Sequence, residues 1–326
     1  MSLAEARRAL TLCIVCNYCN GFCEMFRAAE RRQTFSDGEL TYLAHLCHDC
    51  RNCRPACQYA PPHPFAIDVP KTLAELRRYS WRGRPWVTLA LIVLIPALTL
   101  ALVPWEVLFA RHVGPGAFYA VLPWPVLCAV AAAPLLWSIV ALGLGVIRFW
   151  RDSGGGRPSG RAVVAALGDM LALRNLKGGG IACDGGTARR WFHHALVLGL
   201  LLCFAATAIA TLYHHVFGWL APYPLFSLPV VLGSVGGVAM MAGSGGLIWI
   251  KTERTEYALP GLLFAIAATG IVLLAWRETA AMGLLLAIHL GCVAAFFATL
   301  GHGKFAHAPY RAAALLRAAM ERQNGP

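Results

Sequence analysis

Cys13, Cys16, Cys19 and Cys23 stand at C-x2-C-x2-C-x3-C spacing, and Cys47, Cys50, Cys53 and Cys57 repeat it. Eight of the chain's twelve cysteines fall in these two runs. Such a run places three thiolates around one cubane iron–sulfur cluster, while its fourth cysteine reaches across to a second. Two runs therefore make a self-sufficient pair. The expected sets are Cys13, Cys16, Cys19 with Cys57, and Cys47, Cys50, Cys53 with Cys23. Tight loops let three sulfurs converge, and the longer gap gives the chain room to turn into a helix. Structural zinc is the alternative, but zinc sites usually take paired C-x2-C ligands separated by a longer loop. Four cysteines within eleven residues, twice over, fit zinc poorly. One departure is local: the ferredoxin run ends C-P, whereas Glu24 and Gln58 follow the last cysteines here.

The histidines carry a second signal. His193 and His194 fall at the inner end of the third expected membrane span, and His214 and His215 at its outer end. His289 lies inside the sixth, with His302 and His307 at its inner end. Ionisable residues in a bilayer are costly and mark functional sites. Histidine is a common axial ligand of haem iron, and facing helices build cofactor sites in bundles. His289 and His307 are 18 residues apart, about five turns, so they share a face if one helix runs through both. His193 and His214 lie about 60° out of alignment by the same geometry. The expectation is haem b, one or two groups: an inner one between His193 or His194 and His307, an outer one between His214 and His289. The depths do not match, since His289 should lie about 15 Å below the outer surface that His214 is near: either the helices tilt and extend, or there is one haem. The alternative is that some are interfacial or hydrogen-bonded core histidines. His45, His48, His63 and His112 are expected to be solvated or locally bonded. Cys128, Cys203 and Cys292 read as small apolar core residues, and Cys183 as a turn residue.

The elements that must position these groups are helices. The chain has 326 residues, a net charge of +12, 58% hydrophobic residues and 13% charged ones. That charged share is about half of a soluble domain's. Residues 1–85 are polar, basic and cysteine-rich; beyond them run apolar stretches of about 20 residues, the length that crosses a bilayer. The expected fold is mainly α. Residues 1–85 form a helical ferredoxin-like domain with two [4Fe-4S] clusters, residues 86–303 a six-helix, cytochrome b-like transmembrane bundle, and residues 304–326 a cytoplasmic tail. The spans are expected at 86–108, 120–147, 191–213, 226–250, 258–276 and 280–301. In the loop at 148–190, Ser159 to Leu176 reads as a helix at the membrane interface. "FCEMFRAAERR" reads as a helix after the first cysteine run, and "SDGE" (Ser36 to Glu39) as a capping box before the second. "GSVGGVAMMAGSGG" supplies small residues for close helix contact.

"MSLAEARRALTLC" lacks the apolar core and cleavage site of a secretory signal. The first domain is therefore expected in the cytoplasm, where clustered cysteines bind metal in preference to forming disulfides. With that side inside, inner segments carry twenty-six Lys and Arg against two outside, Arg111 and Arg277. This is the positive-inside pattern of a multi-pass protein of a bacterial inner membrane with both termini cytoplasmic. The basic charge suits that surface or an acidic partner, and no nucleic-acid partner is expected. No GxGxxG follows a strand, and there is no Walker motif or hydrolytic constellation. Flavin, nicotinamide and hydrolytic chemistry are thus not expected on this chain.

The paired cysteine runs ahead of six spans, together with "FHH", "LCFAAT", "YHH.FGW.APYP.FSLPVVLG", "AIHLG" and "GKFAH", resemble the tricarballylate/citrate-utilisation protein B family over nearly the whole chain. The resemblance implies a membrane electron-transfer subunit. It would reoxidise a cytoplasmic FAD-containing dehydrogenase of a tricarboxylic acid, passing electrons through the clusters and haem b to membrane quinone. A module serving another flavoprotein, such as the cobalamin ring-contraction enzyme or a disulfide reductase, is an alternative, as is a redox or metal sensor without turnover. His302 beside His307, and His215 beside His214, leave the ligand choice open by one residue. The quinone site is expected at the inner interface near the long loop and Lys251.

Overall fold

The computed structural model describes residues 3–80, 85–172, 186–250 and 257–323. Cys183 and Lys251 lie outside them. Among the described residues the regular elements are helices, as expected. In chain order they are α1 (Leu3–Cys16), α2 (Glu24–Glu30), α3 (Asp37–Leu46), α4 (Cys53–Ala56), α5 (Val69–Ser80), α6 (Pro85–Leu102), α7 (Trp105–Leu108), α8 (Ala117–Val121), α9 (Trp124–Asp152), α10 (Gly160–Leu171), α11 (Gly186–Phe217), α12 (Leu228–Trp249), α13 (Ala258–Trp276), α14 (Met282–Thr299) and α15 (His307–Gln323). They divide into two compact units: Met1–Arg82 with Val140–Arg190 and Gly301–Pro326, and Gly83–Ile139 with Trp191–Leu300.

In the first unit, local chemistry sets the helix ends. The Ser36 hydroxyl accepts the Glu39 amide at 3.3 Å, and the Glu39 carboxylate accepts the Ser36 amide at 2.9 Å. This is the expected capping box, and it opens α3. Asp68 does the same work for α5, accepting the Lys71 amide at 3.1 Å. Leu10, Met25, Leu40, Leu43, Leu46, Ile67 and Leu73 form the core, each no more than 2% exposed. Ala314, Leu315 and Ala318 of α15 join the same core. Against α15 lie Ala162 and Ala166 of α10, the loop helix, whose cap is Ser159. Val164, Leu167 and Leu171, on other faces of that helix, stay exposed.

One polar knot fastens α15. The Glu321 carboxylate accepts from Arg32 at 2.5 Å, from Arg317 at 3.1 Å and from the Tyr42 hydroxyl at 3.1 Å. The Tyr42 ring lies between those two guanidiniums, at 5.1 Å and 4.2 Å from its centroid. Replacing Glu321 by alanine leaves buried donors unmatched, a loss of about 1–3 kcal/mol. A lowered Tm of the full chain in detergent is the expected result, and an unchanged Tm would show the knot to be idle.

The longest helices are built for an apolar solvent. Five helices are long and apolar enough to cross a membrane: Trp124–Asp152, Ala188–Phe217, Leu228–Trp249, Ala258–Trp276 and Met282–Thr299. These mark a membrane protein. The first expected span, 86–108, is shorter: its apolar helix covers Trp86–Leu102. Pro104 has no amide proton and disfavours helical geometry at Val103, so the chain stops there and makes the separate turn of α7. Inside α6, Pro96 cannot donate to the Ile92 carbonyl, and α14 comes closest there: a Cβ on Gly291 would stand 2.9 Å from that oxygen. α11 and α12 meet glycine to glycine, as the small-residue run requires. A Cβ on Gly236 would lie 2.8 Å from the Gly199 carbonyl oxygen, whereas one on Gly233 would meet only the Ala206 methyl at 3.7 Å. We therefore expect Gly236→Leu to prevent recovery of monodisperse protein in detergent and Gly233→Ala to be tolerated. Equal yields from both would contradict the close crossing.

One expectation fails here. α14 ends at Thr299 and α15 begins at His307, with Gly301 and Gly303 between them. No single helix joins His289 to His307, so their 18-residue phase carries no meaning.

Candidate functional site

The two cysteine runs use backbone geometry that most side chains avoid. α1 carries Cys13 and Cys16 one turn apart, then stops because Asn17 takes a left-handed conformation with φ of 52°. Its amide closes on the Cys13 carbonyl at 2.8 Å, the αL helix stop, and the turn swings Cys19 back. Cys23 then becomes the residue ahead of α2. In the second run Cys47 ends α3, and Asp49 and Arg51 both adopt positive φ, 52° and 62°. These left-handed residues cost about 1 kcal/mol each outside glycine, and they fold the loop so that Cys50 and Cys53 face Cys47.

Cysteines of the two runs come together. Cys13, Cys16, Cys19 and Cys57 line one small cavity with Leu12, Phe26 and Tyr59. Burial pushes the Cys13 thiol up to about 12, with Cys57, Cys19 and Cys16 adding to the rise. Cys19 rises to about 11 from burial, then from Cys57 and Cys16. On the other side, burial raises Cys23 to about 12; the Phe26 and Met25 amides pull it back, while Cys47 and Cys50 push it further. Cys53 is raised by burial, then by Cys47, Cys23 and Cys50, and least by Cys19. Thus Cys13 and Cys19 feel Cys57 from the other run, and Cys23 feels Cys47 and Cys50.

This environment tests the donor set. Several buried thiols that repel one another as thiolates stay protonated unless a cationic group sits among them. Among the described residues, no three Cys, His, Asp or Glu side chains are grouped to hold a single metal ion. Cys13, Cys16, Cys19 and Cys57 line a shared cavity, and four thiolates around a cavity are the donor set a multi-iron cluster takes. Gln58, standing where the ferredoxin run has proline, donates from its amide to the Cys16 sulfur at 3.5 Å.

Three neighbours of the second run escaped the sequence reading. Arg77 and Arg311 both donate to the Cys47 carbonyl, at 3.0 Å and 2.7 Å. Tyr310 stacks on His45 at 4.8 Å, and Phe149 meets both edge-on. His45 is buried and pushed down to about 3 by desolvation, then by Arg77, Arg311 and His307. His48 is driven well below its usual range by burial, although its Nδ1 bonds the Leu46 carbonyl at 2.8 Å. His63 accepts the Phe65 amide at 3.1 Å, a local bond as expected.

In the second unit a cavity of about 410 Å³ opens among α11, α12, α13 and α14. Its wall is apolar, with His289, Thr207, Ser234, Tyr223 and Arg277 as the polar members. The tautomer of His289 follows from its partner. Thr269 has one hydroxyl proton and donates it to the Ala265 carbonyl at 2.7 Å, so at 3.0 Å it accepts from His289 Nδ1. Nε2 then keeps its lone pair, the state an iron ligand needs. Met240 also lines this cavity; no other histidine does, among the described residues.

The remaining expected ligands are placed elsewhere. His214 stacks on Trp124 at 4.8 Å and meets the Tyr119 hydroxyl through Nδ1 at 3.4 Å. His193 and His194 are half-buried near the start of α11. His307 opens α15 in the first unit, with Nδ1 on the Lys304 carbonyl at 2.5 Å. His302 is exposed.

Comparison with known proteins gives the family. Residues 80–325 match the family model described as Citrate utilization protein B, and residues 6–82 match its Fer4-like domain. A relative from Escherichia coli, described as Citrate utilization protein B, is 40% identical over 355 aligned positions, spanning 99% of this chain and 93% of its own. No solved structure matches the chain. Two matched regions that leave almost none of the sequence uncovered, and a relative of nearly equal length, lead to one conclusion: the chain belongs to the citrate utilization protein B family, with a Fer4-like N-terminal domain.

Proposed function

We propose that the chain is the membrane electron-transfer subunit of a dehydrogenase system for citrate or a similar tricarboxylic acid such as tricarballylate. In this reading a cytoplasmic FAD-containing dehydrogenase oxidises the acid. Its reduced flavin gives up two electrons and two protons, and a membrane quinone takes up two electrons and two protons to become quinol. The clusters and haem b, when bound, supply one-electron carriers between these two-electron partners. The chain's part is to hold them. Cys13, Cys16, Cys19 and Cys57 hold one [4Fe-4S] cluster, and Cys47, Cys50, Cys53 and Cys23 the other. His193, His194, His214, His289 and His307 are the proposed haem ligands, with His289 the best prepared. The protein spans a bacterial inner membrane several times with both termini in the cytoplasm; residues 1–85 form the cluster domain, 86–303 the membrane domain and 304–326 a cytoplasmic tail.

The observation that carries the reading is the cavity lined by Cys13, Cys16, Cys19 and Cys57, drawn from both cysteine runs, on a chain with five membrane-length helices and a Fer4-like domain. The test is anaerobic. Reduced dehydrogenase flavoprotein is mixed with quinone in the presence of the full chain in liposomes. Quinol formation that requires the chain, and is lost in Cys57→Ser, is the expected result. A chain carrying its full iron content that leaves both reactants unchanged would exclude the relay.

A further inference from the structure

Two guanidiniums reach the Cys47 carbonyl from distant parts of the first unit. Arg77 of α5 donates from Nη1 to Ala44 at 2.7 Å and to Cys47 at 3.0 Å. Arg311 of α15 donates from Nη2 to the same Cys47 oxygen at 2.7 Å and from Nε to His45 at 3.3 Å. Both sit at the negative end of the α3 dipole, so each serves partly as a helix cap. Capping does not account for two full charges there. Arg77 is only 5% exposed, and burying a guanidinium is costly unless an opposite charge accompanies it. The nearest carboxylate is Asp49, at 3.8 Å from Arg77 Nη2, and Arg51 shares it at 3.5 Å. Arg77 and Arg51 thus share the Asp49 carboxylate, whose charge Arg311 also feels, and Arg189 adds a further positive charge near Arg311. The other sulfur set has a neutral donor in Gln58.

We infer that Arg77 and Arg311 make the Cys23, Cys47, Cys50, Cys53 set the more easily reduced of the two, so that electrons from the reduced flavin collect there. The inference rests on the cluster reading proposed above. Its physical basis is that one-electron reduction adds a negative charge, and fixed positive charge at close range in a poorly solvated site favours the charged product. Arg311 and Arg77 act through the field and through the Cys47 carbonyl, and are positioning residues.

The experiment is a potentiometric titration followed by EPR on the anaerobic full-length holoprotein. It is run in the native chain and in a Cys57→Ser background that retains the Cys23 set alone. Arg311→Gln is expected to lower the reduced-to-oxidised ratio of that set roughly tenfold at a fixed ambient potential, about 59 mV for a one-electron couple. Arg311→Lys keeps the charge and stays near the native value. Asp49→Asn, at a positive φ that asparagine tolerates, shifts the potential upward. Unshifted potentials in protein with its full iron content overturn the inference, as does a Cys23 set reduced at lower potential than its neighbour. If Arg311→Gln fails to load iron, Asp49→Asn decides alone, and a downward shift or none overturns the inference. A native chain without iron is a different result: it removes the cluster reading itself.

Discussion

Replacing Cys13 together with Cys57 by serine leaves one cluster, whereas replacing Cys13 together with Cys53 leaves none. The non-haem iron content of anaerobically purified protein should fall from about eight per chain to about four in the first double variant, and towards zero in the second. The contrast follows from which sulfurs share a space. Cys13 and Cys57 line one cavity from opposite ends of the two runs, while Cys53 is influenced first by Cys47, Cys23 and Cys50, with Cys19 the weakest of its sulfur neighbours. A pairing within each run would abolish the contrast, because either double variant would then remove a ligand from both clusters. Iron and acid-labile sulfide per chain decide between them without any spectral assignment.

The second large effect is expected at His289. Leucine there fills similar space without a lone pair, so the b-type haem proposed for the cavity of the second unit should be lost while cluster iron is unchanged. Thr269→Val probes the cause more finely. Valine cannot accept from Nδ1, which frees the imidazole to turn or to place its proton on Nε2. Loss of such a supporting partner typically costs 10–100-fold in metal affinity, read as haem lost on dilution in detergent. A His289→Leu protein with its full haem complement would return this residue to a core role held by the Thr269 hydrogen bond.

What could be read from the sequence was local. The cysteine sets follow from ligand spacing over eleven residues, and the capping box at Ser36 and Glu39 from a four-residue motif. Hydropathy marks α9 and α11 to α14 because a bilayer demands uninterrupted apolar length. The rest depended on contacts that leave no local trace. Arg311 meets Cys47 across 264 positions of sequence, and Glu321 meets Arg32 across 289. What reads as a C-terminal tail is a helix completing the core of the first unit. The alanines of α10 read as one side of an interfacial helix, but Ala162 and Ala166 are small because α15 approaches them closely. Spacing arithmetic on His289 and His307 failed because it assumed one continuous helix, and Gly301 and Gly303 interrupt it. Gln58 looked like a missing proline, and it proves to be a hydrogen-bond donor to a sulfur.

The most direct test of a redox relay is a difference spectrum. The full chain, purified anaerobically in detergent, is reduced with dithionite and scanned against its oxidised form, with pyridine haemochrome and iron counts on the same sample, and a water-soluble quinone is then added. We expect a b-type haem band and broad cluster bleaching, both reversed as the quinone is reduced. A protein with no haem band, or one whose reduced cofactors persist in excess quinone, would contradict the account.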